Sequence, residues 1–170
     1  MTTQTLSGIP RDSSTSMGGI VEALIAGYDD VTGVTVKDEQ ISAITTATSA
    51  KFKRYCFRKG TGSMTSTLNV DAVNGVNYVS TELALQFSRM ETTKRVEMTA
   101  LSLNDLVVIV KDANGKYWYL GKDEPVTASA GGAQTGTART DANNYTLTLL
   151  DNSITFPYEV DPSIVEELVA

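Results

Sequence analysis

Histidine is absent from all 170 residues, and its absence removes more chemistry than any residue present supplies. Without imidazole there is no Ser-His-Asp or Cys-His nucleophile system and no His-containing zinc site. Cysteine occurs once, as Cys56, so neither an intrachain disulfide nor a thiolate cluster can form. A lone thiol fits a reducing compartment and is expected to act as a small apolar residue within a strand. Positive charge is also scarce: 14 Lys and Arg face 20 Asp and Glu, a net charge of −6. That balance argues against a binder of duplex DNA. No apolar run approaches the roughly 18 residues of a membrane span. Met1–Met17 is rich in Thr and Ser and lacks the basic region and apolar core of a secretory signal.

Carboxylates are the remaining catalytic candidates. Asp29-Asp30, Asp38-Glu39, Asp123-Glu124 and Glu166-Glu167 are adjacent pairs in turn-like or terminal surroundings. Neighbours on a strand point opposite ways, so these pairs are poor acid/base dyads and read as solvated surface. Asp112-Ala-Asn-Gly115 is a fragment of a calcium loop without its downstream ligands, and a turn accounts for it better. Lys59-Gly-Thr-Gly-Ser63 lacks phosphate-loop spacing and reads as a strand reversal. Gly131–Gly136 precedes no helix and is expected to be a flexible loop. No enzyme activity, cofactor or metal is expected.

The most informative stretch runs from Ala50 to Met90. In Asn77–Arg89, Val79, Thr81, Leu83, Leu85 and Phe87 share one side; Tyr78, Ser80, Glu82, Ala84, Gln86 and Ser88 share the other. Period two held that long means one buried face and one wet face on a strand of roughly 40 Å. Asn74-Gly75 marks a hairpin between this strand and Met64–Asp71. Lys51–Lys59 is expected to be a long strand before them. A helix follows over Thr92–Leu103, with Val96, Ala100 and Leu103 as its apolar face, widened by Met98 and Leu101, and Thr92 or Thr93 as cap.

Elsewhere, Gly19–Ala26, Val31–Val36 and Ile41–Thr46 read as strands. Leu106–Lys111 and Lys116–Gly121 form a second hairpin over Asn114-Gly115, and the continuously apolar Leu106–Val110 is expected to be covered on both faces. Val126–Ala130, Asn144–Leu150 and Ile154–Tyr158 complete the strands, and Asp161-Pro162 starts a short helix through Leu168. The fold class is mainly β, an antiparallel barrel or sandwich with a long hairpin and one packed α-helix. Residues 1–17 form an arm, 18–160 the domain and 161–170 a helical tail.

Lys51, Lys53, Arg54, Arg58 and Lys59 interleave with Phe52, Tyr55 and Phe57, as in single-strand binders. The cations fall on both faces of the expected strand, which favours pairing with acids on an adjoining subunit. An OB-like single-stranded nucleic-acid-binding module stays as an alternative.

Six segments, in order, carry a resemblance. They are Asp12–Gly19, Lys51–Gly60, Asn77–Met90 with its helix, Val108–Gly121, Gly136–Leu149 and Pro157–Asp161. Together, over roughly residues 12–161, the chain resembles tail-tube-type virion structural proteins of tailed phages and prophages of Bacteroidetes, crAss-like phages included. It departs at Asp141-Ala-Asn-Asn144, where a glycine-bearing turn is expected. The resemblance implies rings of the subunit, typically hexameric, stacked into a tube that conducts DNA. It implies a location in the virion tail after assembly in the host cytoplasm. The partners are further copies and other tail or neck proteins, with DNA passing unbound and no membrane involved. Lys51, Lys53, Arg54, Arg58, Tyr78, Ser80, Glu82 and Gln86 become the candidates for interface and lumen, with an acidic wall around the bore. The arm, the Gly131–Gly136 loop and the tail would contact adjacent rings or the neck. A head–tail adaptor or tail-hub ring protein is the nearest alternative.

Overall fold

The computed structural model describes residues 5–170. In chain order the elements are β1 (Ile20–Gly27), β2 (Val31–Lys37), β3 (Gln40–Thr46), β4 (Lys53–Cys56), β5 (Ser63–Asp71), β6 (Val76–Ser88), α1 (Thr92–Leu103), β7 (Leu106–Asp112), β8 (Tyr117–Leu120), β9 (Thr127–Gln134), β10 (Asn144–Ser153), β11 (Tyr158–Val160) and α2 (Pro162–Leu168). They form a sandwich. One sheet has seven strands in the order β2-β3-β11-β8-β7-β1-β4, the other four in the order β5-β6-β10-β9. Every pairing is antiparallel except β3 with β11. The barrel alternative is not realised.

Two cores account for the apolar pattern. Between the sheets lie Ala23, Ile25, Val108 and Val110 from the larger sheet and Leu83, Leu85, Phe87, Leu147 and Leu149 from the smaller. Behind the larger sheet, Leu24, Ile41, Val107, Ile109, Tyr119 and Val160 pack with Phe52 and with Val165 and Leu168 of α2. Successive residues of β7 therefore point into different cores, and all of Leu106–Val110 is buried, as its unbroken apolar run requires.

The β6 strand alternates as expected. Val79, Thr81, Leu83, Leu85 and Phe87 are buried, whereas Tyr78, Glu82 and Ala84 are exposed. Its hairpin with β5 turns through Asp71–Gly75, where Gly75 takes the left-handed φ of +67° that an Asn-Gly step provides. The β7–β8 hairpin turns likewise at Gly115, and the Asp112 carboxylate accepts from the N–H groups of Asn114 and Lys116. Asp161 caps α2 by accepting from Ser163 N–H at 3.0 Å, with Pro162 in the first turn.

Several expectations are corrected. Lys51–Lys59 is not one long strand; only Lys53–Cys56 pairs, and with β1 rather than β5. Phe52, fully buried, is held by the chain end instead: its N–H donates to Leu168 O and Ala170 N–H donates to its carbonyl. Beyond Cys56 the chain crosses from one sheet to the other, and Lys59–Ser63 is that crossover, not a hairpin. A Cβ on Gly62 would lie 2.8 Å from both Ile20 Cγ1 and Phe57 Cε2, so the close passage demands glycine. Tyr55 and Phe57 meet Phe87 edge-on at 6.3 and 6.4 Å, closing the end of the inter-sheet core. Cys56 is in a strand but exposed.

The helix α1 spans the expected residues but presents a different face. Leu101 is buried and Met98 packs on the core, while Val96 and Leu103 are 52% and 79% exposed. Neither Thr92 nor Thr93 caps it; Glu91 occupies that position without a side-chain bond to the backbone. Gly131 and Gly132 belong to strand β9, and β11 covers Tyr158–Val160 rather than Ile154–Tyr158. Residues 1–4 of the arm lie outside the described residues. In the rest of the arm, Leu6 and Ile9 are 97% and 99% exposed. The arm meets the domain where Met17 N–H donates to Asn114 Oδ1 at 2.9 Å.

Leu83 sits fully buried at the centre of β6. Leu83→Ala should cost about 2–5 kcal/mol of stability, read as a lower urea midpoint with unchanged slope.

Candidate functional site

The smaller sheet commits one face to the core and leaves the other bare. Residues in register across that bare face are Ser63, Thr65, Thr67 and Asn69 on β5, opposite Ala84, Glu82, Ser80 and Tyr78 on β6. Next to them come Thr146, Thr148, Leu150 and Asn152 on β10, opposite Gln86, Ala84, Glu82 and Ser80, followed by Gly132 and Ala130 on β9. Hydroxyls, amides and small residues dominate, and Glu82 is the one ionisable carboxylate in these rows. The structure thus brings Tyr78, Ser80, Glu82 and Gln86 together on one exposed surface. The next row, Asp71 opposite Val76, adds a second carboxylate at the hairpin end, and no Lys or Arg stands in any of these rows.

The two margins of this sheet are the second feature. β5 and β9, nine and eight residues long, each have a single neighbour, so every second residue along their outer side carries unpaired backbone groups. Natural edges are usually blunted by Lys, Pro or an inward charge. Ser63–Asp71 has no Lys or Pro and a charge only at its last residue; Thr127–Gln134 has none of these, and α1, which packs against β9, forms no backbone pairing with its outer side. The larger sheet is guarded in the ordinary way. Its edge β4 is only four residues long and carries Lys53 and Arg54, and its edge β2 pairs through two register shifts and ends in Lys37. The expected strand Val126–Ala130 covers the first half of β9, but its continuation through Gly131-Gly-Ala-Gln134 had no sequence signal, since those residues offer neither alternation nor β-branched apolar side chains.

The basic candidates do not join this surface as a group. Arg54 pairs with Glu22 of its own chain at 3.2 Å, which corrects the expectation of acids from an adjoining subunit for that residue. Lys51 Nζ donates to Glu167 O at 2.5 Å. Lys51 and Lys53 line a cleft with Asp29, Asp30 and Asp105, so acids of the same chain lie beside them. Arg58 is apart from all three, beside Gln86 and Ser88 at one end of the smaller sheet. No continuous cationic track runs through the four.

One buried acid stands out. Asp151 faces inward opposite Thr81, and its Oδ1 has no hydrogen-bond partner. Burial pushes its pKa up to about 6; a bond from Gly121 N–H opposes this, and the nearby Asp123 and Glu124 charges add to it. Asp123 is held below the usual range by bonds from Ser153 and Ile154 N–H and by Lys122, despite partial burial. Among the described residues no helix is long and apolar enough to cross a membrane. Comparison with protein-family models, curated proteins and solved structures finds no match to this chain.

Because the folded-state pKa of Asp151 lies above its unfolded value of 3.8, the unfolded chain releases this proton first as pH rises. Its contribution is therefore fully present below about pH 4 and is lost through about pH 6. Asp151→Asn should flatten that decline, measured as the difference between wild-type and variant urea midpoints from pH 4 to 7; an unchanged difference would contradict it.

Proposed function

We propose that this chain is a structural subunit that completes its smaller sheet with copies of itself, closing into a ring. The observation that carries the reading is the pair of long, unguarded edges on one sheet whose inner face is already spent on the core. Strand direction supports it. Across β5-β6-β10-β9 the strands alternate, so β9 of one copy and β5 of a rotated neighbour run antiparallel. An even number of alternating strands continues its pattern around a ring without a mismatch.

The resemblance to phage tail-tube proteins gives this ring its identity as a tail tube subunit of a virion, assembled in the bacterial cytoplasm. Six copies of a four-stranded sheet make 6 × 4 = 24 strands. At about 4.8 Å between strands and a tilt near 40°, the backbone radius is roughly 24 Å. Side chains pointing inward leave a bore wide enough for a DNA duplex. Tyr78, Ser80, Glu82 and Gln86 would line it, and hydroxyl and amide groups with the Glu82 and Asp71 carboxylates offer passing phosphates no cation to bind. Lys53 and Arg54 would lie on the outer, larger sheet. An adaptor or hub ring would use the same edges and differ in its neighbours along the axis. The single-strand-binding reading is weakened by the separation of Arg58 from Lys51 and Lys53.

Electron microscopy of the concentrated protein should show rings or tubes. Of Thr67→Pro and Leu68→Pro, the one whose N–H points away from β6 should leave the subunit folded and abolish rings. Rings from both variants would overturn the edge pairing. Lys53→Glu with Arg54→Glu should leave retention on single-stranded DNA at the wild-type background; a lost retention would favour the binding module.

A further inference from the structure

We propose that the β5–β6 hairpin tip of one copy docks in the cleft at the far end of β6 in a second copy, Asp71 meeting Arg58 and Arg89. The proposal rests on the ring reading and adds the direction in which rings join. It begins with two features of the tip. Leu68 and Val70 on the core-side face of the hairpin are 50% and 64% exposed, Val76 on the bare face 39%, and Val73 in the turn between them 94%. The tip is nonetheless well built: Asp71 Oδ1 accepts from Val73 N–H at 3.0 Å and Asn74 N–H at 3.2 Å, and Oδ2 accepts from Asn74 Nδ2 at 2.7 Å. A rigid turn thus presents a carboxylate beside the exposed Val73, and a preordered element loses little entropy on docking.

The other end of the same strand offers the complement. A cleft of about 450 Å³ opens there between Arg58, Gln86, Ser88, Arg89 and the Asp141–Asn144 segment. The Arg89 side chain is 82% exposed and reaches only Glu91, at 4.0 Å. Arg58 is exposed and forms no ion pair among the described residues. Asp141 contributes one opposing charge, already engaged by the N–H groups of Thr137 and Ala138. With Glu91 and its partner Lys94 counted beside Arg89, three cations stand against two carboxylates, which leaves this end of the strand with one positive charge facing the carboxylate at the tip.

The cleft is also held in shape. Arg89 is a non-glycine residue at φ +66°, a costly conformation. Asn143 fixes it from both sides, its carbonyl accepting from Arg89 N–H at 2.6 Å and its Oδ1 accepting from Met90 N–H at 2.7 Å. Because tip and cleft lie at opposite ends of the 13-residue β6, each docking displaces one copy from the next by roughly 40 Å along the strand. A contact between two different surfaces of the same molecule repeats as an open array when each step translates the copy along an axis instead of closing a rotation, as the β9–β5 contact does. Rings joined this way form a tube with one polarity.

The test compares full-length wild type with Arg58→Glu/Arg89→Glu, and with that pair combined with Asp71→Lys. The double variant should form rings of wild-type mass while its pelletable stacked fraction falls at least tenfold, and Asp71→Lys should restore part of it. Val73→Lys, at an exposed turn where folding is not at stake, should block stacking alone. Rings that stack as the wild type does in both the double variant and Val73→Lys would overturn the inference. Absence of rings in the wild type would instead overturn the ring reading, and a disulfide readout then addresses the contact by itself. In a Cys56→Ser background, Val73→Cys with Arg58→Cys should give a ladder of cross-linked chains on oxidation. No ladder, or a cross-link within single chains, would overturn the contact.

Discussion

An unpaired backbone edge is a strong constraint on this molecule, because every N–H and C=O along it requires a partner or water. The smaller sheet cannot satisfy its margins internally. Its inner face is buried against β1 and β7, and the helix α1 packs beside β9 without occupying the edge pairings. The larger sheet, with its short cationic margin at β4 and its irregular margin at β2, has the usual protections. The contrast between two sheets in one sandwich is what assigns a role to one of them.

Much of the fold was legible because side-chain period and burial agree. The β6 pattern from Val79 to Phe87, the unbroken Leu106–Val110 run, the two Asn-Gly turns and the Asp161-Pro162 start all report local rules that the tertiary structure leaves in force. The misreadings occur where distant contacts decide. Phe52 is drawn into the second core by the chain end, which cuts the anticipated long strand to Lys53–Cys56. Helix α1 turns Met98 and Leu101 inward because those two meet the inter-sheet core, leaving Val96 outside. The second half of β9, Gly131–Gln134, pairs through its backbone while its side chains carry no pattern.

The candidate surface was legible in part for the same reason. Tyr78, Ser80, Glu82 and Gln86 share a face because they alternate with core residues, and period two suffices to group them. The basic segment could not be placed in this way, since its residues leave one sheet for the crossover to the other. Charge shows a related limit: a net charge of −6 describes the whole chain, whereas the bare face of the smaller sheet carries only Glu82 and, at the hairpin end, Asp71. Where charge sits, and not its sum, decides whether a surface repels or ignores a passing polyanion.

Amide hydrogen exchange tests the central claim most directly, because it reports backbone pairing residue by residue. In assembled protein, the outward-facing amides of β5 and β9 should become protected together, while those of β4 and β2 exchange as they do in dilute subunit. Assembled particles in which the β5 and β9 amides still exchange freely would contradict the account.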